Sequence, residues 1–192
     1  MKVIIFIFLL LGVWIFRRLP VSEEDIYVNR LVYLKKDSSL FTGKLKVVDR
    51  ASYYYVNFCE GIPCGEWSEH QRGGSYIGKG RYIEVSEILS KRTIELLTND
   101  TVVVNYFQEG GNIPTDPYYI YVIILKENSF FQLNNQEKKT EVKELIKAIK
   151  DDMRNVKLKY DEFAIIFVDA IDDWGKDYWI HYEVKEGKFF EY

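Results

Sequence analysis

Few side chains in this sequence are suited to chemistry, and they are scattered. There are two histidines, His70 and His181, and two cysteines, Cys59 and Cys64. A zinc centre takes about four ligands at short, recognisable spacings, and these four residues form none. Gly73, Gly74, Gly78 and Gly80 lack the Lys-Ser/Thr pair and the helix start that a phosphate loop requires. No nucleophile elbow, His-Glu-x-x-His or Cys–His pairing occurs. The expectation is a non-enzyme with no catalytic residue, no metal and no cofactor.

The most site-like segment runs from Asp169 to Asp177. Its Asp169, Asp172, Asp173, Trp174 and Asp177 are candidate contacts for a protein partner, with a plain exposed loop as the other reading. The spacing and glycine of an EF-hand are absent. Charge supports a partner role. Between Tyr160 and Tyr192 nine acids face three bases, a charge of −6, which leaves +3 for the rest of the chain. An acidic end can steer a basic partner. The overall charge of −3 argues against a general nucleic-acid binder. Tyr54, within Tyr53-Tyr54-Tyr55, and Trp67 are a second candidate contact set, since Tyr and Trp concentrate at hot spots. The packed face of a hairpin sheet would use the same residues.

These positions need elements to carry them. From Leu31 onward the chain shows short β-prone runs between turn signals. Strands are expected at 31–34, 43–48, 52–58, 65–70 and 75–85, forming a hairpin meander. The first could begin earlier, at Ile26-Tyr27-Val28. Cys59 and Cys64 bracket a four-residue turn, where a disulfide is sterically allowed if the pair geometry suits. Residues 86–97 are ambiguous and lean to strand. Val102-Val103-Val104 leads a clearer strand over 101–108.

Residues 109–117 hold two glycines, two prolines, Asn112 and Asp116, and read as a linker. After it, 118–125 and 163–168 are continuous apolar runs, the texture of strands buried on both faces. Residues 137–153 place Val142, Leu145, Ile146, Ile149 and Met153 at helical spacing. Residues 178–184 alternate as a strand. The fold class is therefore mainly β (α+β): an antiparallel hairpin meander, then a β-α-β-β lobe. The divisions are a signal or anchor at 1–20, a spacer at 21–30, the hairpin region at 31–108, the linker at 109–117 and the lobe at 118–192.

The chain opens Met1-Lys2, continues apolar from Val3 to Phe16 and closes on Arg17-Arg18. A positive start and a short apolar core have the form of a secretory signal. As a helix the run spans roughly 21 Å, short against a bilayer core of about 30 Å. Bulky residues at its exit make a poor cleavage site, so an uncleaved anchor is favoured over a removed peptide. A buried element of the fold is the remaining alternative.

Phe41-Thr42-Gly43-Lys44 resembles the "FTGK" opening of bacterial MORN-variant repeats. The run from Phe58 to Trp67 is similar to their "aromatic-x-x-Gly-x-x-x-Gly-x-Trp" hairpin, and Gly73-Gly74 stands where a second "x-Gly" often falls. In such a hairpin Gly61 and Gly65 supply turn dihedrals closed to other residues, and the aromatic and Trp pack across it. The resemblance covers residues 31–85. It implies an assembly of hairpins that binds without catalysis, often described as toxin–antitoxin or immunity-like. Together with the apolar start it implies an immunity or antitoxin-like protein, membrane-anchored or exported and facing the periplasm, that neutralises a cognate protein toxin. A membrane-tethered scaffold or envelope-binding module without a toxin is the alternative.

Overall fold

The computed structural model of the chain describes residues 21–22, 25–48, 51–97, 99–108, 116–170, 177–184 and 187–191. The apolar run at 3–16 lies outside them, as do Asp172, Asp173 and Trp174. Among the described residues no helix is long and apolar enough to cross a membrane.

Among the described residues twelve strands and four helices follow one another. They are β1 (Val21–Ser22), β2 (Ile26–Asn29), β3 (Leu31–Leu34), β4 (Gly43–Val48), β5 (Ser52–Cys59), β6 (Ile62–Gln71) and β7 (Tyr76–Ile83). Then come α1 (Val85–Ile88), α2 (Lys91–Leu96), β8 (Thr101–Gln108), β9 (Tyr118–Leu125), α3 (Asn128–Gln132) and α4 (Asn135–Met153). The chain ends with β10 (Glu162–Val168), β11 (Asp177–Glu183) and β12 (Lys188–Glu191). Ten strands form one mixed sheet in the order β1-β4-β5-β6-β7-β8-β9-β10-β11-β12, and β2-β3 form a separate hairpin.

From β4 to β9 every neighbour is antiparallel and consecutive. The helices α3 and α4 then carry the chain over to β10, which runs parallel to β9, and β11 and β12 return antiparallel. Crossing to a parallel neighbour needs such a connection, because a tight turn can only reverse direction. Strands β8 and β9 pair along their whole length, from Thr101 with Leu125 to Gln108 with Tyr118. The expected linker at 109–117 therefore joins two neighbours of one continuous sheet.

One face of the sheet is covered by the helices. Ile120, Val122, Ile124, Ile165 and Phe167 point to that side and pack with Val142, Leu145, Ile149 and Met153 of α4. Each of the four α4 residues is buried. The helix starts with a capping box: Asn134 Oδ1 accepts from the Glu137 amide, and Glu137 Oε2 accepts from the Asn134 amide, both at 3.0 Å. The opposite face buries Ile123, Leu125, Ala164, Ile166 and Val168 under the β2–β3 hairpin and Phe41, with Val32 and Phe41 fully enclosed. This is why 118–125 and 163–168 read as continuous apolar runs.

One expectation fails here. Residues 86–97 are the short helices α1 and α2, not a strand. Leu89, Thr93 and Leu97 recur every fourth residue and are buried, while Ile94 and Leu96 are exposed. Ser90 caps α2 by accepting from the Thr93 amide, and Asp152 of α4 accepts from both its amide (2.8 Å) and its hydroxyl (3.0 Å). The stripe that selects the helix is thus completed only by α4. Within the expected spacer at 21–30, the described residues include strand, as the earlier start at Ile26-Tyr27-Val28 allowed. Val21 and Ser22 pair with Leu45 and Lys46, and Ile26–Asn29 is a strand with Ile26 buried.

Candidate functional site

Strand alternation decides which side chains share a face. Because Val104, Ile120 and Ile165 point to the helix side, register assigns Lys79, Arg81, Tyr106, Gln108 and Tyr118 to that side too. The same parity continues through Glu66, Ser68 and His70 on β6 and Tyr53 and Tyr55 on β5, to Lys46 on β4. Among the described residues the helices cover this face only from the end of β7 to β11. Beyond them it is an open groove of about 650 Å³, whose lining includes Lys44, Tyr55, Glu66, Lys79, Arg81 and Tyr106.

Rings and cations alternate along the groove's two flanks. On one, Tyr53 stacks on His70 at 5.2 Å with planes 8° apart, and Tyr55 meets the same ring edge-on at 5.8 Å. Lys44 Nζ sits 4.5 Å from the Tyr55 ring and Lys46 Nζ 4.6 Å from Tyr53. On the other flank Tyr106 stacks on Tyr118 at 5.7 Å, with Arg81 over Tyr106 at 5.8 Å and Lys159 over Tyr118 at 5.1 Å. The Tyr106 hydroxyl donates to the Lys159 carbonyl at 3.1 Å, which fixes the groove's edge to the segment after α4. Burial raises the Tyr106 pKa; Tyr118 and Asp161 add to the rise and Arg81 opposes it. Each ring–cation contact at an exposed site contributes about 0.5–1 kcal/mol.

The floor owes its flatness to the far side of the sheet. There Trp67 lies over Gly80, and its Nε1 donates to Asn105 Oδ1 at 2.8 Å. Phe107 packs on Trp67 (5.9 Å), Tyr119 (5.1 Å) and Tyr121 (5.0 Å). Phe58 takes a different partner, Phe41, at 5.8 Å. The pairing of Phe58 with Trp67 expected from the hairpin motif is thus replaced by two separate contacts. Gly61 and Gly65 do adopt positive φ, 77° and 65°.

The hairpin tip is closed by a disulfide between Cys59 and Cys64, Cα atoms 5.8 Å apart. Gly61 is wedged against the N-terminal hairpin: its amide donates to the Phe41 carbonyl at 2.8 Å and its carbonyl accepts from the Val32 amide at 3.1 Å.

The expected contact residues do not gather in one place. The side chains of Tyr54 and Trp67 point to the face opposite the groove; Trp67 is among the residues lining the groove, but its ring is engaged within the fold. Asp169 follows β10 and Asp177 begins β11, at the end of the sheet where Val168 pairs with Leu125 and Asp177. The groove lies at the Tyr118 end, about 25 Å away along the strands. Asp172, Asp173 and Trp174 lie outside the described residues. Among the described residues no three His, Cys, Asp or Glu side chains are grouped to hold a metal ion.

Contact-site reasoning from the sequence picked out the Tyr53-Tyr54-Tyr55 run but committed to Tyr54 within it, and missed Lys44, Lys46, Lys79, Arg81, Tyr106 and Tyr118. Their signal was the two-residue repeat of Lys44/Lys46, Tyr53/Tyr55 and Lys79/Arg81 within β-prone runs. Against family models, curated proteins and solved structures, the chain has no match.

Proposed function

We propose that this chain is a non-enzymatic binding protein of the immunity or antitoxin-like kind, and that it captures a cognate protein toxin on the open face of its meander. The observation that carries this reading is the uncovered half of a face whose other half is sealed by helices. A sheet face left open usually carries solvated polar side chains. This one instead presents five rings (Tyr53, Tyr55, His70, Tyr106, Tyr118) held in place by stacking. Pre-stacked rings offer large contact area at little further entropy cost, as hot spots require.

The resemblance of residues 31–85 to MORN-variant hairpins supports the same reading. The Cys59–Cys64 disulfide supports a setting outside the reducing cytoplasm, consistent with an envelope location through residues 3–16. Capture occludes the toxin's working surface and needs no chemistry from the captor.

The test is co-expression with the product of the adjacent gene. The expected result is a complex that survives gel filtration and relief of growth arrest, both lost in the Tyr55→Ala/Tyr106→Ala variant. Absence of both complex and protection for the wild type overturns the proposal.

A further inference from the structure

The open groove carries a charge opposite to that of the whole protein. Lys44, Lys79 and Arg81 line it, Lys46 lies on the same face beside it and Lys159 stands at its rim, against Glu66 in the lining and Asp161, whose carboxylate accepts from the Tyr118 amide at that rim. Among the described residues, no carboxylate lies within ion-pair distance of Lys44, Lys46, Lys79 or Arg81. The chain as a whole is −3. The groove's charge also reverses the polarity expected from the acidic segment at 169–177.

Geometry sets the length of what would fit. The Tyr53/Tyr55/His70 cluster is on β5 and β6, and the Tyr106/Tyr118 cluster on β8 and β9. At about 4.8 Å per strand the outermost rings, on β5 and β9, are about 19 Å apart, the length of roughly six residues of extended chain. Between them lie Lys79 and Ser68. Glu66, within the groove, can accept from a backbone amide, which a peptide has and a polyphosphate lacks.

We infer that the groove recognises an extended acidic polypeptide segment of the partner, with carboxylates at the lysines and Arg81 and apolar or aromatic side chains against the tyrosines. This rests on the reading of the open face as the binding surface and adds the chemistry of its partner. Cation–ring pairs already formed in the free protein hold Lys44, Lys46 and Arg81 where carboxylates would approach, so binding orders little that is not already ordered.

The experiment is fluorescence anisotropy with a labelled peptide of alternating Glu and Gly, about twelve residues long so that it exceeds the span of the groove. The comparison probes are its Gln–Gly counterpart, an oligothymidylate of similar length and a heparin fragment. Saturable binding of the Glu–Gly peptide is expected, at least about ten-fold weaker in the Lys79→Glu/Arg81→Glu variant and in about 300 mM salt. Circular dichroism of the variant should match the wild type, both sites being exposed. Equal binding of the Gln–Gly peptide, tighter binding of oligothymidylate or heparin, or an unaffected variant overturns the inference. The two proposals separate cleanly. A toxin complex insensitive to Lys79→Glu/Arg81→Glu but lost in Tyr55→Ala/Tyr106→Ala leaves the binding face standing and removes the acidic segment. Binding of the acidic peptide without any complex or protection does the reverse.

Discussion

Gly80 and Gly78 sit two residues apart on β7, point to the same face, and should respond to alanine with opposite signs. A Cβ at Gly80 would lie 2.6 Å from Phe107 Cβ and from both Cε2 and Nε1 of Trp67. None of these is the free end of a flexible chain. Phe107 Cβ is tied to backbone, and the indole is held by its hydrogen bond to Asn105. The ring must therefore shift away from the strand. Overpacking of this kind costs about 1–3 kcal/mol. Losing the Trp67–Asn105 bond adds about 1 kcal/mol. Gly80→Ala should thus destabilise by about 2–4 kcal/mol, or about 5–15 °C in Tm for a chain of this size. At Gly78 the nearest atom to an added Cβ is Glu69 Oε2 at 3.9 Å, an ordinary contact, and φ is not positive. Gly78→Ala should stabilise by about 0.4–1 kcal/mol, because alanine narrows the unfolded ensemble without native strain. Urea denaturation followed by circular dichroism measures both. A Gly80→Ala protein as stable as the wild type, or two variants with the same sign, would refute the account of Trp67 as a rigid lid on that strand.

Other perturbations have defined outcomes. Asn134→Ala removes one half of the α4 capping box and should cost about 1 kcal/mol in urea denaturation, with Asn134→Asp close to neutral. Reducing the Cys59–Cys64 disulfide releases a small loop, so the protein should stay folded by circular dichroism while losing about 2 kcal/mol in the chain-entropy account. Tyr82 is held neutral by burial, with its pKa pushed up to about 12. The unfolded chain ionises this phenol near pH 10 and the folded one does not, so stability should fall as pH rises from 10 towards 12. Tyr82→Phe should flatten that decline in pH-dependent melts. Lys126 and Asp100 pair at 2.9 Å with both side chains mostly buried. Lys126→Met should cost about 1–3 kcal/mol, since it leaves the carboxylate without its cation in a part-desolvated site.

Much of the architecture was legible along the chain because each strand's pattern is local. The apolar runs at 118–125 and 163–168 sit between opposed layers, so both faces had to be apolar, and no other arrangement hides them. The helix over 137–153 announced itself by the spacing of Val142, Leu145, Ile149 and Met153. The turn at Gly73-Gly74 followed from residues that turns favour, whereas the tip near Cys59 is tighter than the four-residue turn expected: only Glu60 and Gly61 separate β5 from β6, and Ile62 already pairs with Cys59. Residues 86–97 were not legible in this way. Their short stripe of Leu89, Thr93 and Leu97 becomes decisive only when α4 arrives with Asp152 to hold Ser90.

The contact face was harder still. Tyr53, Tyr54 and Tyr55 look alike in sequence, yet alternation sends Tyr54 to the opposite face from its neighbours. Trp67 looked like an anchor and is used to cover Gly80. The types and two-residue spacing of Lys44/Lys46, Tyr53/Tyr55 and Lys79/Arg81 were settled by the sequence, and with them the fact that each pair shares a side of its strand. Which side that is, and that these three segments meet on one face uncovered by the described helices, was decided by the register of β4 to β9. Covalent order records periodicity within a strand. Only pairing between strands far apart in sequence brings their faces together, and only the limited reach of the helical layer leaves half of one face open.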